Sequence, residues 1–323
     1  MTEPDDQRFA DGTAFVDGSY VPVQEARIPI LDCGFLRSDV TYDVVHVWKG
    51  YLFRLEDHLD RFQRNVAALR MTLPLSRHAI TEVLMECVRR SALRDAFVHM
   101  GCTRGLLPRG TRDPRACQNR FYAFAIPFVW IATEEQRIRG LHLHISAIPR
   151  IPRASVDPTV KNFHWMDLTR GLFEAYDRGA EVAVLVDEHG NVTEGPGFNL
   201  FVVAGGQLAT PAAGVLDGIT RRTVLELCEE MGLAARAEDV SAARVRRCDE
   251  AFITSTAGGI MPVTRIDGRA LGDGAPGPVT RRLHDVYWGR KAAGWLGTPV
   301  DYDTVRRAGV TTAASGAVPG NRS

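Results

Sequence analysis

Apolar residues in the first part of the chain recur at two different periods. Leu55, Leu59, Phe62, Val66 and Leu69 are spaced alternately by four and three, which puts one apolar stripe on a helix and leaves His58, Arg61 and Asn65 off it. Ahead of that helix, residues 27–32 and 42–48 read as strands, and Lys49-Gly50 turns the second of them into Tyr51, Leu52 and Phe53, so a hairpin opens the fold. After Pro74, Ile80, Val83, Leu84, Cys87 and Val88 form a second helical stripe, followed by strands near 97–103 and 120–129. These strands are joined by residues 105–119, a Gly-, Pro- and Arg-rich stretch too long for an ordinary hairpin and expected to be a surface loop of the kind that closes over sites.

The polar stretch 133–140 interrupts the apolar pattern and is expected to be a boundary. Beyond it, strands near 141–148, 181–187, 198–203 and 251–255 alternate with helices near 167–178, 220–231 and 278–290. The reading is α+β throughout, in two units: a small N-terminal domain over 1–128, a linker at 129–140 and a larger domain over 141–300. The tail at 301–323, Gly/Ala/Ser-rich from Thr311, is expected to be partly disordered.

Composition narrows the class. With 323 residues, 45% of them hydrophobic, the chain can fill two cores, and 39 basic against 39 acidic side chains leave no net field for nucleic acid or an acidic membrane. The longest apolar run, 121–132, contains Pro127 and falls short of the roughly 20 residues that span a bilayer. The acidic start MTEPDDQRFA does not read as a secretory signal. Six cysteines without a CxxC pair fit a reducing cytoplasm, and His142 and His144 share a strand face with no acidic or thiol neighbour in sequence, so no metal site is expected.

Chemistry-bearing residues are few. Only three of the 39 basic residues are lysines. Lys49 sits in a turn and Lys291 near a helix end, both solvent positions, whereas Lys161 stands in DPTVKNFHWMDL between a valine and an aromatic cluster. An amine held among apolar groups is favoured in its uncharged, nucleophilic form, the form a Schiff-base lysine needs; the alternative is a strand-end lysine reaching out to water. Glu194 lies beside two glycines in TEGPGFN, where the chain can approach a ligand closely and a carboxylate can pair with a pyridinium nitrogen. Gly218 directly precedes a helix whose first amides, at Ile219 and Thr220, with the Thr220 hydroxyl can either seat a phosphate or serve as an ordinary cap, and TSTAGGIMP offers a second candidate of the same kind. GDGAPG matches a dinucleotide fingerprint in letters but has no βαβ unit around it, and neither a GxxxxGK loop nor a GxSxG elbow is present.

The segments RIPILDCGFLRSDVTYDVVHVWKG, LEDHLDRF, DPTVKN, TEGPGFN, GVLDGITR and STAGGIMP occur in the order found in the fold type IV pyridoxal-phosphate transaminases, and TYDVVHVW with DPTVKN is most similar to their (R)-selective amine transaminases. The resemblance spans about 27–288. It implies a small α/β domain and a larger, mixed, barrel-like domain, pyridoxal 5'-phosphate (PLP) as cofactor, and a homodimer acting on an amine donor and a keto-acid acceptor. By the same resemblance Lys161 forms the Schiff base and Glu194 pairs with the pyridine nitrogen. Arg61, Ile219, Thr220 and Thr256 hold the phosphate and Leu216 packs on the ring. Arg37 and Tyr42 line the substrate pocket, and Arg109, with Arg112 as a rival, receives a substrate carboxylate. Branched-chain or D-amino-acid transamination and aminodeoxychorismate lysis are the neighbouring activities in that fold. Pro196 and the segment VHMGCTRG depart from the family pattern, the first by removing a hydroxyl and a backbone donor.

Overall fold

The structure, a computed structural model, describes residues 11–303; the tail from Thr311 lies outside them. In chain order the elements are β1 (Thr13–Val16), β2 (Ser19–Pro22), α1 (Cys33–Arg37), β3 (Val40–Trp48), β4 (Tyr51–Phe53), α2 (Leu55–Ala68), α3 (Arg77–Ser91), β5 (Ala96–Leu106), β6 (Gln118–Pro127) and α4 (Glu134–Arg139). There follow β7 (Leu141–Pro149), α5 (Met166–Asp177), β8 (Val182–Val186), β9 (Glu194–Gly195), β10 (Phe198–Ala204), β11 (Gln207–Pro211), α6 (Ile219–Glu230), β12 (Ala235–Glu238), α7 (Ala242–Val245), β13 (Glu250–Ser255), β14 (Gly259–Ile266), β15 (Arg269–Ala270), α8 (Pro278–Ala292) and β16 (Gly297–Pro299).

Two sheets organise them. The first has seven strands in the order β16-β4-β3-β5-β6-β1-β2. The second runs β12-β11-β10-β13-β14-β7-β8, with β15 on β14 and β9 on β10, and mixes parallel pairs (β7 with β8 and β14, β11 with β12) with antiparallel ones. On β3 the period of two sorts residues to opposite faces. Val45 and Val47 join Leu59, Phe62 and Leu84 in the core under α2 and α3, while Tyr42 and Val44 face a cavity between the sheets. The second sheet buries Leu143, Leu200 and Ile253 on one side and Phe201, Phe252 and Leu227 on the other.

Two expectations change. Residues 27–32 form a turn, not a strand: Ile28 and Ile30 alternate as a strand would, but Pro29 between them has no amide to donate, and Asp32 Oδ1 accepts from Gly34 N at 2.7 Å to start α1. The opening hairpin is β1–β2, ahead of the residues read as the first strands. Residues 133–140 hold α4, which starts with a reciprocal Thr133–Gln136 capping box. The chain also returns after α8 to add β16 to the first sheet, on β4.

Lys291 is the largest departure. It is 3% exposed, not solvated, and its Nζ donates to His46 Nδ1 at 2.7 Å and to Tyr287 Oη at 3.3 Å, over the rings of Phe53 (4.5 Å) and Trp288 (5.0 Å). Burial pushes its amine well below the usual lysine range, and burial together with Lys291 pushes His46 down. The sequence signal, an RRL…GRK helix end, concealed this because α8 lays that turn against β3 and β4.

His99 of β5, stacked on Tyr42 at 5.1 Å, is held at about 3 by burial and by the charge of Lys161. The unfolded chain protonates this imidazole near 6.5, so below that pH it binds a proton the folded chain refuses, and stability falls with pH down towards 3. Replacing His99 by Gln should therefore leave the difference in melting temperature from wild type constant above about pH 7 and shift it in the variant's favour between about pH 6.5 and 4. A pH-independent difference in scanning calorimetry would contradict a neutral buried imidazole.

Candidate active site

A cavity of about 550 Å³ opens between the two sheets, within the usual range for a cofactor site. Lys161 stands in its wall, half-buried, and its backbone is fastened to the first sheet. Its carbonyl accepts from Tyr42 N (3.3 Å) and Thr41 Oγ1 (2.7 Å). Asn65 on α2, turned so that both ends of its amide are satisfied, accepts from Lys161 N at 3.1 Å and donates to Arg61 O at 3.2 Å. The Lys161 Nζ lies 4.5 Å from the Tyr42 ring centroid and forms no ion pair among the described residues. Lys161 is thus less enclosed than its sequence neighbours suggest, because Phe163 and Trp165 are themselves partly exposed.

Glu194 is 7% exposed, and each carboxylate oxygen has one partner: Oε1 accepts from Arg150 Nη2 at 3.0 Å and Oε2 from Leu216 N at 2.8 Å. Burial raises its carboxyl; Arg150 and the Leu216 amide oppose that, but only in part. Arg150 Nη1 in turn donates to Asp167 Oδ2 at 2.7 Å, so the guanidinium is shared between two buried carboxylates. The close approach of β9 to β10 rests on Gly195: a Cβ there would run into the Phe198 ring and Ala183 O.

Arg61 is 3% exposed, and the off-stripe face of α2 is as buried as the apolar one. It packs on Asp43 of β3, which accepts from Arg61 Nε and Nη2, both at 2.7 Å, and pairs with His58 Nδ1 at 2.7 Å. Burial alone would raise the Asp43 carboxyl, but Arg61 and His58 outweigh it and hold it well below the usual range. The remaining Arg61 nitrogen donates to Asp217 O at 2.9 Å, beside Gly218, the N-cap of α6. That cap offers no side chain to the helix, so the amides of the first turn are open to a ligand, and a Cβ at Gly218 would run into Asn199 Oδ1.

Lys161, Arg61, Glu194, Leu216, Ile219, Thr220, Thr256 and Tyr42 all line this one cavity. Arg37 and Arg109 do not. Arg37 lies at the exposed end of α1, and Arg109, like Arg112, sits on the loop between β5 and β6, away from the cavity wall. Sequence reasoning missed Arg150, Asp167, Asp43 and His58. Asp43 carried a signal, a lone acid inside the apolar strand TYDVVHVW; Arg150 carried none in a chain this rich in arginine. Likewise His144 has acidic neighbours after all, Asp267 at 2.8 Å and Glu174 at 3.4 Å, both brought in from elsewhere in the fold.

An open helix N-terminus with an arginine beside it, a cradle only glycine allows, a paired buried carboxylate and an unpaired primary amine fit PLP: the first two suit its phosphate, the third its ring nitrogen and the last its aldehyde. Thr254 Oγ1, buried and without a partner among the described residues, stands in the same wall. Such an arrangement suits a PLP-dependent enzyme. The chain belongs to the amino-transferase class IV family, whose profile matches residues 41–266. It is 30% identical to the D-alanine aminotransferase of Bacillus licheniformis over 83% of this chain and 93% of that protein. It is equally 30% identical to the branched-chain-amino-acid aminotransferase of Pseudomonas aeruginosa, over 86% and 92%. The structure of the branched-chain amino acid aminotransferase from Thermobaculum terrenum in its PLP form superposes with a TM-score of 0.80 at 26% identity, over 91% of this chain and 100% of that one. Among the described residues no helix is long and apolar enough to cross a membrane.

Asp43→Asn leaves Arg61 and His58 buried beside a neutral amide. It should lower stability by about 3–5 kcal/mol in urea unfolding and weaken PLP retention on dialysis. Unchanged stability would show that the Asp43–Arg61 contact does not carry the phosphate arm.

Proposed function

We propose that this aminotransferase moves an amino group from an (R)-amine, or a D-configured donor, to a keto acid such as pyruvate. The observation that carries the reading is the state of the cations in the cavity. Among the described residues its wall has two guanidiniums, Arg61 and Arg150, held by Asp43 and by Asp167 with Glu194, so a neutral amine finds its partners within the wall, whereas a donor carboxylate would need a cation from outside it, such as the loop Arg109. The wall above Tyr42 is apolar, from Val44, Phe97, Ile126 and Trp130, and suits a hydrophobic or aryl group.

PLP, when bound, supplies an aldehyde for Lys161 and a ring that takes up electrons from the donor carbon. Arg61 and the first amides of α6 would hold its phosphate, and Glu194, kept in place by Arg150 and Leu216 N, would hold its ring nitrogen. Lys161 Nζ, beside the Tyr42 ring, would take the proton of the donor carbon and deliver it to the former aldehyde carbon of the cofactor, so the face that Nζ occupies sets the stereochemistry. Arg109 lies off the cavity wall and would receive the acceptor carboxylate once the loop between β5 and β6 closes over the site. A homodimer belongs to the same reading, supported by the exposed apolar segment with Ile30 and Phe35, 72% and 71% accessible.

A second reading, branched-chain or D-amino-acid transamination, is favoured by the names of the relatives. Bleaching of the bound cofactor distinguishes the two: (R)-1-phenylethylamine should bleach it faster than D-alanine, L-leucine or the (S)-amine. Faster bleaching by L-leucine or D-alanine would establish the second reading. In the return half-reaction Arg109→Ala should raise KM for pyruvate more than for a neutral aldehyde; an equal rise would remove its role.

A further inference from the structure

Behind the catalytic cavity, on the side of the seam where the segment after β6 meets α8, the structure forms a second cavity of about 360 Å³. Three indoles frame it. Trp48, Trp130 and Trp288 touch one another, with ring centroids 6.1 Å apart for Trp48–Trp130, 5.1 Å for Trp48–Trp288 and 5.5 Å for Trp130–Trp288. The charged groups in its wall are the basic Arg137 and Lys49; His284, also in the wall, pairs through Nδ1 with Asp285 at 3.1 Å.

Arg137 is the informative residue. Its guanidinium lies 3.6 Å from the Trp130 ring centroid and, among the described residues, forms no hydrogen bond and no ion pair; Nε is buried without a partner. Its neighbour on α4, Arg139, sits instead against Glu135 and Glu181. Partial burial lowers the Arg137 guanidinium, and Glu134, the acid that acts on it, reaches it only through space. A stacked guanidinium with its donors unspent, next to indole faces and with no acid in the wall, matches a planar ring carrying an anionic group.

We propose that this second cavity binds a small aromatic carboxylate, its ring against the indoles and its carboxylate on Arg137. The volume accommodates one substituted ring. Trp130 forms part of both cavities, and Ile131 next to it donates its amide to Ala257 O at 2.9 Å, a residue of the catalytic wall. Occupancy of the second cavity therefore fixes a wall of the first.

The test uses the holoenzyme and 4-nitrobenzoate, which quenches tryptophan emission, with 4-nitrobenzyl alcohol as the uncharged control. Wild type should show saturable quenching by the carboxylate, and Arg137→Gln should weaken it about tenfold while leaving the alcohol unaffected. Inhibition of the amine half-reaction by 4-nitrobenzoate should be non-competitive with the amine and relieved in Arg137→Gln. Trp288→Phe, which keeps an aromatic wall, should retain the carboxylate preference. Absence of saturable quenching in wild type, equal binding by Arg137→Gln, or inhibition that is competitive and unchanged in that variant would overturn the proposal; the last would place the ligand in the catalytic cavity. None of these outcomes depends on which amine is the donor.

Discussion

A carboxylate buried between two sheets has to be given a cation, and here Arg150 is given to two of them. It spans Glu194 and Asp167, and through Leu216 N the first of these carboxylates reaches the segment that leads into α6. Asp43 does the reverse for Arg61, a cation fixed by an acid that also holds a histidine. Removing any one member leaves a desolvated charge, which costs more than the pair contributes, so these networks specify positions rather than add stability. Their consequence is that Lys161 keeps an amine free of any ion pair among the described residues and available for covalent chemistry.

The two amines that matter have opposite surroundings. Lys161 is half-buried at a cavity wall, with its backbone pinned to Thr41, Tyr42 and Asn65, while Lys291 is sealed among Phe53, Tyr287 and Trp288 with His46 as acceptor. Both sit at the seam, one towards the cavity and one behind it, and both tie an element of the first sheet to a segment that belongs with the second. Reactivity follows access, and of the two only Lys161 opens onto space large enough for a ligand.

Much of this was legible in the sequence. The spacing of Leu55, Leu59 and Phe62 located α2, and scarcity made Lys161 stand out. The glycine at 218 located the start of α6. What was not legible depends on contacts far apart in sequence. Arg150 acquires its role only when β7 brings it to Asp167 and Glu194, and the buried Lys291 only when α8 meets β3, 245 residues away. Local pattern also misled at residues 27–32, where apolar alternation around Pro29 belongs to an exposed turn. There a surface, not the core, sets the residue type.

The central claim is that Lys161, and neither of the other two lysines, carries the cofactor. Borohydride reduction of the holoenzyme followed by peptide mapping in a mass spectrometer tests it directly. The account predicts a phosphopyridoxyl adduct on the peptide containing Lys161 and none on those containing Lys49 or Lys291; an adduct on Lys291 with Lys161 unmodified would contradict it.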